Sequence, residues 1–217
     1  TPWSGGAIVT LGNGKGVVTT IKKGAVIENC KSSEGYDGGA VYVDEGTQLN
    51  LEGGVIEGCE AIGTEVTVGG SIRHSNGGAI MLHGTMNMTG GIISNNKTTA
   101  SGGGIAVSDT GRLSITGGTI KGNNGAHGGG IFIQESTSET KIENVTFMRN
   151  QAKYGGGVYL HKNAGINVSN STFSNNFAIQ GGAIYTGNSD YDNPADTGKY
   201  QTVKLAGDVS FENNSAS

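Results

Sequence analysis

A four-residue pattern, Gly-Gly-(Ala or Gly)-(Ile or Val), recurs along this 217-residue chain and constrains its fold more than any other feature. The later copies follow one another at steps of 25 to 27 residues, whereas the first two steps span 33 and 39 residues. Self-similarity at a period of this size predicts a solenoid or another array of stacked units. The seven copies begin at Gly5, Gly38, Gly77, Gly102, Gly128, Gly155 and Gly181.

A second motif lies between successive copies of the first. It places an Ile or Phe three residues before a Cys or Asn, and alternating apolar residues usually precede it, as in LNLEGGVIEGC. Its copies read IENC, IEGC, ISNN, IKGN, FMRN, FSNN and FENN, beginning at positions 27, 56, 93, 120, 147, 173 and 211. The chain therefore repeats one unit seven times.

The composition indicates which kind of repeat this is. The chain has 41 glycines, two prolines and 34% hydrophobic residues. It lacks the strict Gly-X-Y period of collagen and the long apolar-periodic runs of a helical repeat. The pattern instead predicts short strands in which apolar and polar residues alternate, each ended by Gly, Asn or Asp. Such a unit cannot bury a core alone, but it can when it is stacked on its neighbours.

We therefore predict an all-β fold, a right-handed parallel β-helix (solenoid) of about seven coils with roughly 26 residues per coil. Right-handedness is expected because parallel crossover connections are overwhelmingly right-handed. We expect a single domain over 1–217, and because no polar cap follows the last coil, a fragment of a longer protein with further coils or domains. The predicted coils are 5–37, 38–76, 77–101, 102–127, 128–154, 155–180 and 181–217.

The repeat also aligns residues into columns that run along the solenoid. The Ile or Val that ends each glycine motif and the residue two positions later should both point inward, because side chains alternate along a strand. The residue between them should point outward: Val9, Tyr42, Met81, Ala106, Phe132, Tyr159 and Tyr185. Exposed aromatic rings suit sugars or protein partners. Tyr42, Phe132, Tyr159 and Tyr185 are thus the predicted binding residues, unless loops cover them or the faces are inverted.

Another column follows the second motif and is expected to be structural. It consists of Cys30, Cys59, Asn96, Asn123, Asn150, Asn176 and Asn214. Stacked asparagines can hydrogen-bond from coil to coil, as amide ladders do in cross-β stacks. Cys30 and Cys59 occupy the same position of adjacent coils, within the Cα separation that a disulfide permits, so a bridge and two stacked free thiols both remain open.

The segments FSNNFAIQGGAIY and FMRNQAKYGGGVY resemble the paired FxxN and GGAI repeats of the chlamydial polymorphic outer-membrane proteins. They are also similar to the broader group of bacterial right-handed β-helix surface proteins. The resemblance implies a β-helix and a surface-exposed adhesin. The periodicity extends over nearly the whole chain, but both motifs occur in full only in the last three coils. Earlier coils have Ile in place of Phe, and the first two have Cys in place of Asn.

Few residues are candidates for catalysis or for metal binding. Glu28 and Glu57 should stack in neighbouring coils at the ~5 Å carboxylate separation that retaining glycosidases use, which makes them the candidate catalytic pair. Asp190, Asp192 and Asp196 could bind calcium from a surface loop, although the EF-hand spacing is not met. No other cofactor or metal is predicted.

Two insertions lengthen the repeat, and insertions are where solenoids often place recognition. They cover 60–76, after Cys59, and 187–202, after Thr186. His83 and His161 share a column after their glycine motifs and are expected to be exposed turn residues.

These features together predict a secreted or bacterial cell-surface protein of the adhesin type, which binds a host glycan or surface protein. A net charge of -4 without a basic patch argues against nucleic acid. The absence of a long apolar run argues against membrane insertion of this segment. We expect no enzymatic activity. The alternatives are a polysaccharide lyase or glycoside hydrolase, and a passive stalk.

Overall fold

The computed structural model of the protein describes residues 5–12, 16–33, 35–63, 66–68, 71–135, 139–187 and 201–217. These residues form strands and turns without any helix, so none of them lies in a helix able to span a membrane. Three parallel sheets run along the molecule, which we name A, B and C in the order in which the chain enters them. The arrangement confirms the predicted all-β solenoid.

Sheet A contains the strands that begin at the Ile or Val of each glycine motif. Neighbours pair in the register read from the sequence, with Ile131 opposite Val158 and Val158 opposite Ile184. Its seven strands are Ile8–Thr10, Val41–Val43, Ile80–Leu82, Ile105–Val107, Ile131–Ile133, Val158–His161 and Ile184–Gly187.

Sheet B is the widest and carries the alternating apolar segments and the Ile or Phe of the second motif. Two ten-residue strands, Gln48–Glu57 and Thr85–Ser94, run across its full width, and the other coils cross it as two shorter strands. Those shorter strands are Val18–Lys22, Val26–Glu28, Arg112–Ile115, Gly118–Lys121, Thr140–Glu143, Val145–Met148, Gly165–Ser169, Thr172–Ser174, Thr202–Ala206 and Ser210–Glu212.

Sheet C lies between the second motif and the next glycine motif. Its strands are Lys31–Ser32, Glu60–Ala61, Lys97–Thr98, Asn124–His127, Gln151–Tyr154, Phe177–Gln180 and Ser215–Ala216. The insertion at 60–76 leaves this sheet after Ala61 and contains an antiparallel pair of strands, Val66–Val68 and Ser71–Arg73. The insertion is therefore a hairpin added to the regular coil.

The core fills the space between the three sheets. Both inward columns of sheet A and the Ile or Phe column of sheet B are buried through the middle coils. The rings of Phe147 and Phe173 stack with centroids 4.6 Å apart, and those of Phe173 and Phe211 with centroids 5.1 Å apart. Stacking of identical side chains follows from the parallel register, because each residue lies one strand spacing from its equivalent.

The asparagine column forms a continuous hydrogen-bonded ladder. The amide Nδ2 of Asn123 donates to Oδ1 of Asn150 at 3.1 Å, and Nδ2 of Asn150 donates to Oδ1 of Asn176 at 2.9 Å. The backbone N–H groups of Asn123 and Asn150 donate to the same two oxygens. The second Nδ2 hydrogen of Asn150 bonds the carbonyl of Ile120 at 2.9 Å. Each buried amide is therefore fully paired, as low-dielectric surroundings require.

The ladder weakens where cysteine replaces asparagine. The backbone N–H of Cys59 donates to Oδ1 of Asn96 at 2.9 Å, as an asparagine there would. The N–H of Cys30, however, meets only Sγ of Cys59, at 3.4 Å. Sulfur is a weak acceptor, so this step is the least stabilised of the column. Both cysteines are free thiols.

The turns explain the paired glycines and the paired asparagines. At the glycine motif, Gly155 has a φ of 65°, and a Cβ on Gly156 would lie 2.3 Å from the carbonyl oxygen of Gly182. The first glycine thus supplies positive φ and the second allows close backbone contact. Before the ladder, one residue of every coil has a φ between 51 and 64°: Asn29, Gly58, Asn95, Gly122, Arg149, Asn175 and Asn213. Asparagine tolerates this left-handed conformation better than most residues.

Candidate functional site

Several aromatic side chains lie on the outside of the corner at which the chain passes from sheet C to sheet A. Phe132, Tyr159 and Tyr185 are register neighbours in the outward column of sheet A. His127 and Tyr154 are register neighbours at the end of sheet C, immediately before the glycine motif. Only three residues, 128–130 or 155–157, connect the two sheets at this corner, and side chains from the two columns meet across it. With His161, these residues form what we call the aromatic cluster.

The rings of the aromatic cluster contact one another from coil to coil. Those of His127 and Tyr154 are parallel within 6°, with centroids 5.6 Å apart, and His127 also stacks on Tyr159 at 5.5 Å. Tyr185 lies 5.3 Å from Tyr154 and 5.2 Å from Tyr159. Phe132 lies 5.4 Å from Tyr159. These distances are those of stabilising aromatic pairs, so the cluster is a preformed surface.

The predicted aromatic column divides into two parts, because its members differ in exposure. Tyr42 is only 3% exposed and forms a small buried group with Met81 and Ala106, separate from the core. Tyr159 is 6% exposed, beneath the neighbouring rings, whereas Phe132 and Tyr185 are half-buried. The expectation of an exposed stripe is therefore wrong for Tyr42 and Tyr159. Tyr42 also lies outside the aromatic cluster, since Met81 and Ala106 separate it from Phe132 in the column.

Burial keeps the two covered tyrosines protonated. It raises the pKa of Tyr159 to about 12, with smaller contributions from Tyr185 and Tyr154. The hydroxyl of Tyr159 donates to the carbonyl of Gly187 at 3.3 Å, at the end of its neighbouring strand. The pKa of Tyr42 is likewise raised, first by burial and then by the charge of Asp44.

A cavity of about 680 Å³ adjoins the aromatic cluster and shares His127 with it. It lies between the base of the inserted hairpin and the same corner two coils further along. Its polar groups come from His74 and Asn76 on one side and from Thr99, Ser101 and His127 on the other. None of the described residues that line it carries a carboxylate.

Hydrogen bonds hold the cavity walls in place. Asp37 accepts from the backbone N–H and the side-chain amide of Asn76, at 2.6 and 3.1 Å. Oδ1 of Asn76 in turn accepts from the backbone N–H of Ser101 at 3.3 Å. The Thr99 hydroxyl donates to the carbonyl of Gly63. The hairpin base is therefore fixed to the next coil rather than loosely attached.

His127 is the residue that joins the two features. Its ring is half-buried, and Nδ1 lies 3.4 Å from the hydroxyl of Ser101. Burial lowers the pKa of His127, and the nearby charges of His161 and Lys153 lower it further. The ammonium of Lys153 lies over the ring of Tyr154, 5.2 Å from its centroid. The imidazole of His127 thus lies in the field of a positive charge that disfavours its protonation.

The candidate catalytic pair lies elsewhere. Glu28 and Glu57 are register neighbours on sheet B, and Glu57 accepts a hydrogen bond from the hydroxyl of Ser94 at 3.1 Å. The same outward column continues with Lys121 and Met148, so no further carboxylate joins the pair. No part of the aromatic cluster belongs to sheet B.

The calcium candidates Asp190, Asp192 and Asp196 lie outside the described residues, as does most of the insertion at 187–202. Within the described ranges, no group of three or more His, Cys, Asp or Glu side chains is arranged to hold a metal ion. The calcium prediction therefore stays a prediction.

Sequence reasoning missed half of this site. It singled out Phe132, Tyr159 and Tyr185 but not His127 or Tyr154, and it treated His161 as an exposed turn residue, whereas the ring is half-buried against Tyr159 at 6.0 Å. A usable signal was present in the residue just before each glycine pair. In the sequence that column reads Ser4, Asp37, Asn76, Ser101, His127, Tyr154 and Gln180.

The comparisons with known proteins agree with this architecture. A family model described as the right handed beta helix region matches residues 69–196, which is more than half of the chain. No curated protein and no solved structure matches. The matched segment includes the whole aromatic cluster and the coils with the most regular spacing. The predicted handedness is thereby confirmed, and the chain belongs to the right-handed β-helix family.

Proposed function

We propose that the protein is a glycan-binding module of the adhesin type, secreted or displayed on a bacterial surface, and that it binds through the aromatic cluster and the adjoining cavity. The observation that carries this proposal is the position of His127, which belongs to both features. A ligand in the cavity would therefore touch the aromatic wall as well. Binding sites for small ligands combine apolar surface with a few fixed polar groups in the same way.

The chemistry of the surface suits sugars. Sugar rings present C–H faces that pack on flat aromatic rings, while their hydroxyls need hydrogen-bond partners. Tyr154 and Tyr185 are half-buried and offer the rings. Asn76, Thr99 and Ser101 supply amide and hydroxyl groups within the cavity. The walls are already ordered by hydrogen bonds, so binding would cost little conformational entropy.

Binding is favoured over catalysis because of where the carboxylates lie. Glycoside hydrolysis uses two carboxyl groups on either side of the scissile bond. The described lining of the cavity has none, and Glu28 and Glu57 project from sheet B. Other members of a β-helix family can be enzymes, so activity is a separate outcome of the test.

Native affinity electrophoresis against neutral and acidic polysaccharides and mucins tests the proposal, with the glycans sized afterwards. We expect retardation without shortening, and about tenfold weaker binding for Tyr154→Ala because one stacked ring is worth about 1.4 kcal/mol. The matched control is Phe177→Ala, an exposed ring outside the cluster. Equal losses in both variants would contradict the aromatic cluster as the binding site, and no retardation by any glycan would contradict glycan binding and favour a spacer. Shortened glycans would indicate an enzyme, to be examined through Glu28→Gln and Glu57→Gln.

A further inference from the structure

Basic side chains lie in and beside the aromatic cluster. Lys153 is exposed, and its ammonium is held over the ring of Tyr154 rather than in an ion pair with any described carboxylate. His127 and His161 belong to the cluster, and His74 lines the cavity next to it. The charge of Lys153 is close enough to act on His127. A ligand on these rings would therefore lie next to one permanent cation and several groups that can become cationic.

The described acidic side chains around this corner are already engaged by other groups: Glu135, which follows the strand that contains Phe132, pairs with Lys162 at 4.0 Å and accepts from Asn163 at 3.2 Å. The column that contains His127 and Tyr154 has one acidic member, Asp37, which lies three coils from His127 and four from Tyr154 and Lys153. Three strand spacings amount to roughly 14 Å. The oxygen of Asp37 is also occupied by two hydrogen bonds from Asn76. It therefore does little to offset the field at Lys153, because interactions between exposed charges are screened over about 10 Å.

We propose that this surface selects anionic sugars, whose carboxylate or sulfate group is bound between Lys153 and His127 while a sugar ring packs on Tyr154. The proposal rests on the glycan-binding function above and names the class of ligand. The ammonium and the imidazolium can both donate charge-assisted hydrogen bonds to such a group, and these are stronger than bonds between neutral partners. The ammonium of Lys153 lies over the ring of Tyr154, 5.2 Å from its centroid, so this donor is next to the ring on which the sugar packs.

Protonation of His127 makes the selection pH-dependent. The groups that face its ring are those of Ser101, Phe132, Lys153, Tyr154, Tyr159 and His161, and none of them is a carboxylate. The pKa of the free ring is lowered by burial and by the charges of His161 and Lys153, so it takes up a proton less readily than an ordinary imidazole. A bound anion favours the charged imidazolium, so binding and proton uptake are coupled. Affinity for an anionic sugar should rise as the pH falls from about 7.5 to 5.5, while the acid group of the ligand stays ionised. Affinity for a neutral sugar should not change in this way.

Binding to an array of mucin glycans tests the inference, with the glycans untreated, desialylated or desulfated. We expect at least a tenfold loss after one of these treatments, and that treatment identifies carboxylate or sulfate as the bound group. Lys153→Glu should reproduce the loss, whereas Lys97→Glu, the same charge change on an exposed residue of the same sheet, should not. His127→Gln should remove the rise in affinity at pH 5.5 without abolishing binding.

The outcomes separate this inference from the proposed function. Binding that persists unchanged after both treatments and in Lys153→Glu would overturn the selection of anionic sugars and leave glycan binding intact. Equal losses in Lys153→Glu and Lys97→Glu would show a general effect of net charge and would also overturn it. Absence of binding to untreated glycans and to neutral polysaccharides alike would refute the glycan-binding function itself.

Discussion

Asn150 is the best place to measure what the asparagine ladder contributes to stability. Its side chain is fully buried and takes part in four hydrogen bonds. Nδ2 donates to Ile120 and Asn176, at 2.9 Å each, and Oδ1 accepts from the backbone N–H and the side-chain amide of Asn123, at 3.1 Å each. Substitution by alanine removes all four bonds at once.

The cost follows from the partners that are left behind. Oδ1 of Asn176 still accepts from the backbone N–H of residue 150, which alanine retains. Three groups lose their partner: the N–H and one Nδ2 hydrogen of Asn123, and the carbonyl of Ile120. An unsatisfied buried polar group costs about 1–3 kcal/mol. A water molecule entering the space left by the side chain would recover part of this. We therefore expect Asn150→Ala to lower the free energy of unfolding by about 4 kcal/mol.

Urea denaturation followed by far-UV circular dichroism measures this change as a shift of the midpoint at constant slope. Asn124→Ala is the matched control, because Asn124 is exposed and makes one long contact, 3.4 Å to Gln151. That variant should lose less than about 0.5 kcal/mol. A loss below about 1 kcal/mol for Asn150→Ala would refute the reasoning, since it would mean that buried ladder amides are replaced by water at little cost.

Three further results are expected. Cys59→Asn should stabilise the protein by about 1 kcal/mol in the same urea assay, because an amide there can donate to Asn96 and offer Cys30 a better acceptor than sulfur; a lower midpoint would show that the first two coils cannot take an asparagine. Gly156→Ala should cost about 3 kcal/mol, since its Cβ would lie 2.3 Å from the carbonyl of Gly182; an unchanged midpoint would contradict the close packing of the glycine turns. At pH 8 an alkylating reagent should modify the half-exposed Cys30 but not Cys59, whose pKa burial raises to about 11; mass spectrometry of the native protein checks this, and rapid labelling of both thiols would contradict the burial of Cys59.

The sequence alone was enough for the architecture because a solenoid repeats one environment many times. Each position of the coil occurs seven times in the sequence, so single departures such as Cys59 in the asparagine column do not obscure the pattern. Period-two alternation assigned Ile131 and Val158 to the core, and the parallel register then aligned every equivalent residue. Predicting the ladder required no more than that alignment, since the hydrogen-bonding partners occupy the same position in adjacent coils.

Only the tertiary structure decided which outward residues form a surface. Exposure depends on which side chains pack around a residue, so Tyr42 and Tyr159 are buried although alternation places both outside the core. The narrow glycine turn brings His127 and Tyr154 of sheet C against Tyr159 and Tyr185 of sheet A, a contact between different columns that no periodicity within one column predicts. The cavity depends on an insertion that occurs once, and a single occurrence has no repeat from which its position could be read.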